Sequence, residues 1–268
     1  MMEVLQHFRQ LYQPVQPAAE QEKGPVLYRE LLPHTGLLAY VYCYWELKST
    51  GPLTAPYHYR VIADGCIDIY FEPHQPTESY LMGFSNSYTA FPLQGDFHFV
   101  GIRFLPGMLP LLYRLNAAEL TDQSAPLDAI CQPLATFLAA RFHPGLALGE
   151  MKALLDEYLL GLLSKGIVTA DSRLYEAISM ILDTGGMIGI EKELAVGISP
   201  RQLRRLFQFY VGDTPKSFSE VVRFQKTLQR MTHHRKQRPY LDTGYYDQAH
   251  FIKSFKQLYG LTPSKVLL

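Results

Sequence analysis

The chain has 268 residues, 47% of them hydrophobic, and 25 Lys/Arg balance 25 Asp/Glu. That length suits two domains or one large one with a real core, and no stretch approaches the roughly 18 uninterrupted apolar residues of a membrane-spanning helix. The neutral total conceals an asymmetry: residues 1–170 hold 10 Lys/Arg and 16 Asp/Glu, residues 171–268 hold 15 and 9, and from Ser199 onward 13 basic residues face 4 acidic ones. A polyanionic partner therefore suits the C-terminal end alone.

The first residues, MMEVLQHFRQLYQP, lack the apolar core of a signal peptide. Cys43, Cys66 and Cys131 are far apart and form no CxxC pair, which fits a reducing compartment better than a disulfide framework or a zinc knuckle. A cytoplasmic protein is expected.

From about Val26 to Leu105 the chain reads as β-rich. Aromatic and β-branched residues crowd short runs, LLAYVYCYWEL (37–47), CIDIYFE (66–72) and FHFVGIRFL (97–105). Turn residues separate them, at Pro33, Gly51-Pro52, Asp64-Gly65, Pro73 and Gly95-Asp96. Short strands in series predict a small barrel or sandwich. Tyr40, Tyr42 and Tyr44 alternate and would share one face of a strand.

Helical patterns follow at Pro126–Phe142 and Gly149–Ser164. In the second, Met151, Leu154, Leu155, Tyr158, Leu159 and Leu162 form a stripe that predicts packing within the chain, with a dimerisation face as the alternative. Lys165–Ala170 reads as a linker. Beyond it, Ser199-Pro200, Thr214-Pro215 and Thr262-Pro263 each place a capping hydroxyl before a proline at the first helical position.

The strongest signal is an internal repeat. Ser199, Leu203, Phe207, Gly212 and Pro215 recur 48 residues later as Asp247, Phe251, Phe255, Gly260 and Pro263, with the same spacing throughout. Each set reads as a cap, two core anchors one turn apart, a glycine stop and the start of the next helix. Gly197 and Gly244 just upstream permit the tight turn of a helix-turn-helix, and Glu191–Val196 would form the supporting helix of the first unit. A long helix from Thr214 to Thr232, with Val221, Val222, Phe224, Leu228 and Met231 as its apolar positions, would hold the units at a fixed separation. Their recognition helices would then meet successive major-groove turns, about 34 Å apart.

The outer face of the first capped helix carries Arg201, Gln202, Arg204, Arg205 and Gln208 and no acid. Arg and Gln make bidentate contacts to guanine and adenine edges, so this face is expected to read bases. The second helix offers Gln248, His250, Lys253 and Lys256, a set suited to phosphates as well as bases. Ser199, Lys216 and Lys256 are the expected phosphate contacts.

These residues resemble the DNA-binding domain of the AraC/XylS family of transcription regulators. LAVGISPRQLRRLFQFYVGDTPKSF looks like the family's first unit, and TGYYDQAHFIKSFKQLYGLTPSKV like its second. The resemblance implies base-reading positions at Arg201, Arg204 and Arg205, and at Gln248, Ala249, His250 and Lys253. The N-terminal part also looks like a sensor-type domain of some members, through Tyr44-Trp45, Ala63–Asp68 and Gly101–Gly107. In one respect the chain departs from the family: the interval from Arg223 to Gly244 is about two residues shorter, and Pro239 stands where the supporting helix of the second unit belongs. Proline inside a helix costs about 3 kcal/mol, so a distorted or loosely held second unit is expected.

No GxSxG, P-loop or GxGxxG occurs, and the N-terminal histidines form no HxH or HxxxH pair. No catalytic residue, metal or cofactor is expected. Tyr42, Tyr44, Asp64 and Arg103 are the candidate effector pocket, against a bland reading of core packing and paired charges. The expectation is an α+β protein: a β-rich, barrel-like regulatory domain with trailing helices over residues 1–165, then an all-α DNA-binding domain over 171–268. Within the latter the first unit covers about 190–212, the linker helix 214–232 and the second unit about 239–260. Its partner is double-stranded DNA; a small-molecule effector, a second copy of the chain and RNA polymerase are further candidates, and a membrane is not. The competing readings are a small-molecule-binding or enzymatic barrel whose helical tail no longer reads DNA, and a DNA binder that uses its first unit alone.

Overall fold

The computed structural model describes residues 2–16, 24–166, 171–233 and 243–266. Pro239 and most of the linker at Lys165–Ala170 lie outside them. In chain order, α1 (Met2–Leu11) precedes seven strands: β1 (Val26–Leu31), β2 (Val41–Ser49), β3 (Leu53–Val61), β4 (Ile67–Phe71), β5 (Ser79–Met82), β6 (Thr89–Gly95) and β7 (His98–Phe104). Then come α2 (Met108–Tyr113), β8 (Ser124–Pro126), α3 (Leu127–Ile130), α4 (Gln132–Arg141) and α5 (Leu148–Ser164). The C-terminal helices are α6 (Ser172–Asp183), α7 (Pro200–Tyr210), α8 (Pro215–His233), α9 (Gln248–Tyr259) and α10 (Pro263–Val266).

The predicted split into a β-rich half and a helical half holds, but the sheets do not close into a barrel. Six strands pair in the order β1-β2-β7-β4-β5-β8, and β3 pairs with β6 alone. The reason lies partly in two exposed prolines, Pro56 on β3 and Pro92 on β6. Proline lacks the N–H that a further strand would need, so the two-stranded ribbon stays an edge on both sides.

Alternation divides the large sheet between two packing partners. Ile67, Ile69, Phe71, Val100, Ile102 and Phe104 are buried in a core with helices α3–α5. Met151, Leu155 and Leu159 of α5 belong to that core, so the α5 stripe serves packing within the chain. The other face carries Trp45, Leu47 and Phe99 beneath the β3–β6 ribbon. There a Cβ on Gly101 would stand 2.2 Å from the Trp45 ring, so only glycine lets the indole lie across β7.

Two sequence readings of this half are corrected. The single helix expected over Pro126–Phe142 breaks at Cys131, whose extended φ of −139° separates α3 from α4, with Pro133 following at the start of α4. The three tyrosines do not share a face, because the register of β2 against β7 slips between Val41 and Cys43. Tyr42 meets Tyr12 edge-on at 5.5 Å, whereas the Tyr44 hydroxyl donates to Asp156 of α5 at 2.9 Å.

The two halves share one apolar cluster. Phe8 and Tyr12, together with Ile62, Ala63 and Phe84, join residues of α6, α7, α8 and α9 in it. Polar contacts accompany this packing: Gln225 of α8 accepts from Val15 N at 2.8 Å and donates to Ala63 O at 2.7 Å.

Candidate nucleic-acid interface

The repeat is realised position by position. Ser199 caps α7, its Oγ accepting from Gln202 N at 3.3 Å, and Asp247 caps α9 by accepting from His250 N at 2.7 Å. Each cap satisfies one of the amides that a helix start leaves without a partner. Leu203, Phe207, Phe251 and Phe255 are all buried. Gly197 and Gly244, ahead of the caps, have φ of +73° and +74°, and the closing glycines Gly212 and Gly260 have +114° and +89°. All four occupy the left-handed region that favours glycine.

The long helix α8 ties the units together. Its Phe218 meets Phe207 of α7 with ring centroids 6.0 Å apart, and its Phe224 meets Phe255 of α9 edge-on at 5.5 Å. Val221, Val222, Phe224, Leu228 and Met231 are all buried, as their spacing predicts.

With one face of each helix anchored, the other is free. Arg201, Gln202, Arg204, Arg205 and Gln208 are exposed on α7, and Gln248, Ala249, His250, Lys253 and Lys256 on α9 or its start. Lys216 is exposed in the first turn of α8. Two of these side chains have local work as well. Gln202 Oε1 accepts from both the amide and the hydroxyl of Ser199, at 3.1 and 3.0 Å, completing a reciprocal cap. The His250 ring accepts from Tyr246 N at 3.4 Å and lies edge-on to Tyr245.

The supporting helix expected at Glu191–Val196 is absent; the chain there makes a turn. Lys192 N and Glu193 N both donate to Gly189 O, and the Glu193 carboxylate turns back to accept from Gly189 N at 2.6 Å. These bonds close a loop in place of a helical ladder. Leu194 and Val196 are nonetheless buried, so the segment still packs under α7.

The four candidate effector residues do not line a single cavity. Asp64 and Arg103 approach to 3.5 Å, but Arg103 is wholly buried and donates to Asp68 through Nε at 3.2 Å and Nη2 at 3.0 Å. Burial pushes the Asp68 carboxyl above its usual range against the pull of that guanidinium. Asp64 accepts from Gln16 and from Cys66 N, next to α8. Tyr42 and Tyr44 point into the separate surroundings already described.

Sequence reasoning missed the loop between β5 and β6, which touches both units. Asn86 donates from Nδ2 to Asp213 at 2.6 Å, just past the first unit, and its carbonyl accepts from Gln257 of α9 at 3.0 Å. Tyr88 N donates to Gln257 O at 3.1 Å, and the Tyr88 ring covers Gly260. Nothing local in FSNSYTA announces these roles, because every partner lies far away in sequence.

Two capped helices of this kind, each entered and left through a left-handed glycine and joined by one long helix, define a tandem helix-turn-helix protein. Residues 194–267 match a family described as a helix-turn-helix domain, and residues 29–126 match a domain of unknown function (DUF6597). The C-terminal match is an AraC-type helix-turn-helix, which supports a DNA-binding transcription regulator, and it stands beside an N-terminal domain of unknown function. No curated protein matches the chain, and no solved structure matches it. Among the described residues, no helix is long and apolar enough to cross a membrane.

Proposed function

We propose that α7 and α9 both enter the major groove of one duplex, and that the N-terminal half sets how the second follows the first. In this reading residues 1–165 are the regulatory domain and 171–268 the DNA-binding domain. Arg201, Arg204 and Arg205 read bases from α7, with Gln202 and Gln208 beside them. Gln248, Ala249, His250 and Lys253 face the groove from α9. Ser199, Lys216 and Lys256 contact phosphates and fix the register.

One observation carries the reading. Both recognition faces are exposed, while the glycines closing both units are covered by the N-terminal half, Gly212 by Phe84 and Thr121 and Gly260 by Tyr88. The contacts that join the halves therefore leave the DNA-facing sides open. Regulation then acts on the relation between the units, not by covering them.

The test is selection of bound sequences from a random DNA pool, followed by fluorescence anisotropy and footprinting on the selected site. Protection of two successive major-groove turns is expected, with affinity falling steeply as salt rises. Protection of one turn would leave the first unit as the sole reader. No salt-dependent binding would favour a small-molecule or enzymatic role for the N-terminal half.

A further inference from the structure

Between the large sheet and the β3–β6 ribbon lies an apolar slot of about 480 Å³, counted with its open mouth. Trp45, Tyr70 and Phe99 form its floor. Its roof is the inward face of the ribbon, with Tyr59 and Val61 from β3 and Phe91 and Leu93 from β6. Among the described residues, Asp68 is the only charged one lining it. Both Asp68 oxygens are already engaged, by Arg103 and by the Trp45 indole N–H at 3.1 Å. The Tyr70 hydroxyl is engaged as well, with Ser124 Oγ at 3.0 Å.

This chemistry selects a ligand. A charged molecule would lose its hydration against these walls, at a cost of several kcal/mol. An uncharged molecule with one or two rings would bury its carbon against the aromatic walls.

The roof of the slot is also the grip on α9. Alternation sends Tyr59 and Val61 inward and Arg60 outward, where its guanidinium lies 5.7 Å from the Tyr88 ring and 5.9 Å from the Tyr259 ring of α9. Two residues past Val61, Ala63 N donates to Leu258 O of α9 at 3.3 Å. At the start of β6, the Tyr88 backbone holds Gln257. A molecule that lifts the ribbon must move these contacts.

We infer that the slot binds an uncharged apolar ligand of one or two rings, and that the β3–β6 ribbon transmits its occupancy to α9. The second half of this inference rests on the DNA-binding function proposed above.

Trp45 is the chain's single tryptophan and sits in the slot floor, so its emission reports occupancy directly. Butylbenzene titrated into the full-length protein should give a saturable change in that emission. Phenylbutyrate and phenylbutylamine, charged molecules of similar shape, should give none. Val61→Phe should weaken butylbenzene binding about tenfold or more by filling the roof, and Leu93→Phe serves if the first variant does not fold. Butylbenzene should also shift affinity for the selected DNA site about threefold or more in the wild type and leave the filled variant unchanged. Absence of a saturable change, equal binding of the charged molecules, or binding that survives both fillings would overturn the site. A saturable change with unaltered DNA affinity would overturn the coupling alone. Loss of all DNA binding would defeat the proposed function while the emission titration still decides the site.

Discussion

The two helix-turn-helix units share a skeleton and differ in what holds them. The first is set against fixed parts of the N-terminal half. A Cβ on Gly212 would stand 2.8 Å from Phe84 Cβ and 3.0 Å from Thr121 Oγ1, and the Gly212 carbonyl accepts from that hydroxyl at 2.6 Å. The second unit is held by the ribbon and its loop, through Tyr88, Asn86 and Arg60. A Cβ on Gly260 would meet the Tyr88 ring, a side chain that is 38% exposed. Equal local sequence has thus been given unequal anchorage. The first unit is placed by buried side chains and the Thr121 hydroxyl, and the second by backbone bonds at Leu258 and Gln257 beside a part-exposed Tyr88 ring that can shift.

The sharpest way to break this comparison is alanine at each closing glycine. Gly212→Ala should cost about 3 kcal/mol, because the left-handed backbone and the close Phe84 atom act together. Gly260→Ala should cost about 1–2 kcal/mol, since the Tyr88 ring can turn aside. Denaturant midpoints of the two variants measure the difference, and equal losses would mean that the anchorages are alike.

Base reading gives the next contrast. Arg204→Ala should lose about 1–3 kcal/mol on the selected site and relax preference at the positions α7 contacts. Lys253→Ala should do the same at a separate position, to a smaller extent. Selection repeated with each variant maps both, and an unchanged preference in either removes that residue from the readers.

Asn86→Ala removes a side-chain bond near the first unit and loosens the loop that holds the second. A stability loss of about 1 kcal/mol is expected, with a change in the spacing or extent of the footprint. A stability loss with an unaltered footprint would separate the loop from regulation. The smallest effect belongs to Lys256→Ala, which should lower affinity evenly across sequences and reduce the salt slope by about one.

Much of the C-terminal architecture was legible because its signals are local. A serine or aspartate cap, anchors one turn apart and a glycine stop act within a dozen residues, so Ser199–Pro215 and Asp247–Pro263 announce themselves. The β-rich half was legible in kind and not in arrangement. Strands β2, β4 and β7 stood out by their aromatic and β-branched runs, but pairing order depends on partners tens of residues away. The tyrosine face failed for the same reason, since a register slip at Val41–Cys43 has no mark in LLAYVYCYWEL. The effector set followed conspicuous polar residues, while the slot lies among Trp45, Leu47 and Phe99, which read as ordinary core.

The sequence by itself determined the capped helices of the two units, their core anchors and glycine turns, and the Arg/Gln face of α7, since each follows from backbone preference and helical period. The tertiary structure alone decided that the sheets stay open, that the loop around Asn86 touches both units and that the ribbon roofing the slot also grips α9. Those features are contacts between distant segments, and only folding brings their atoms within reach.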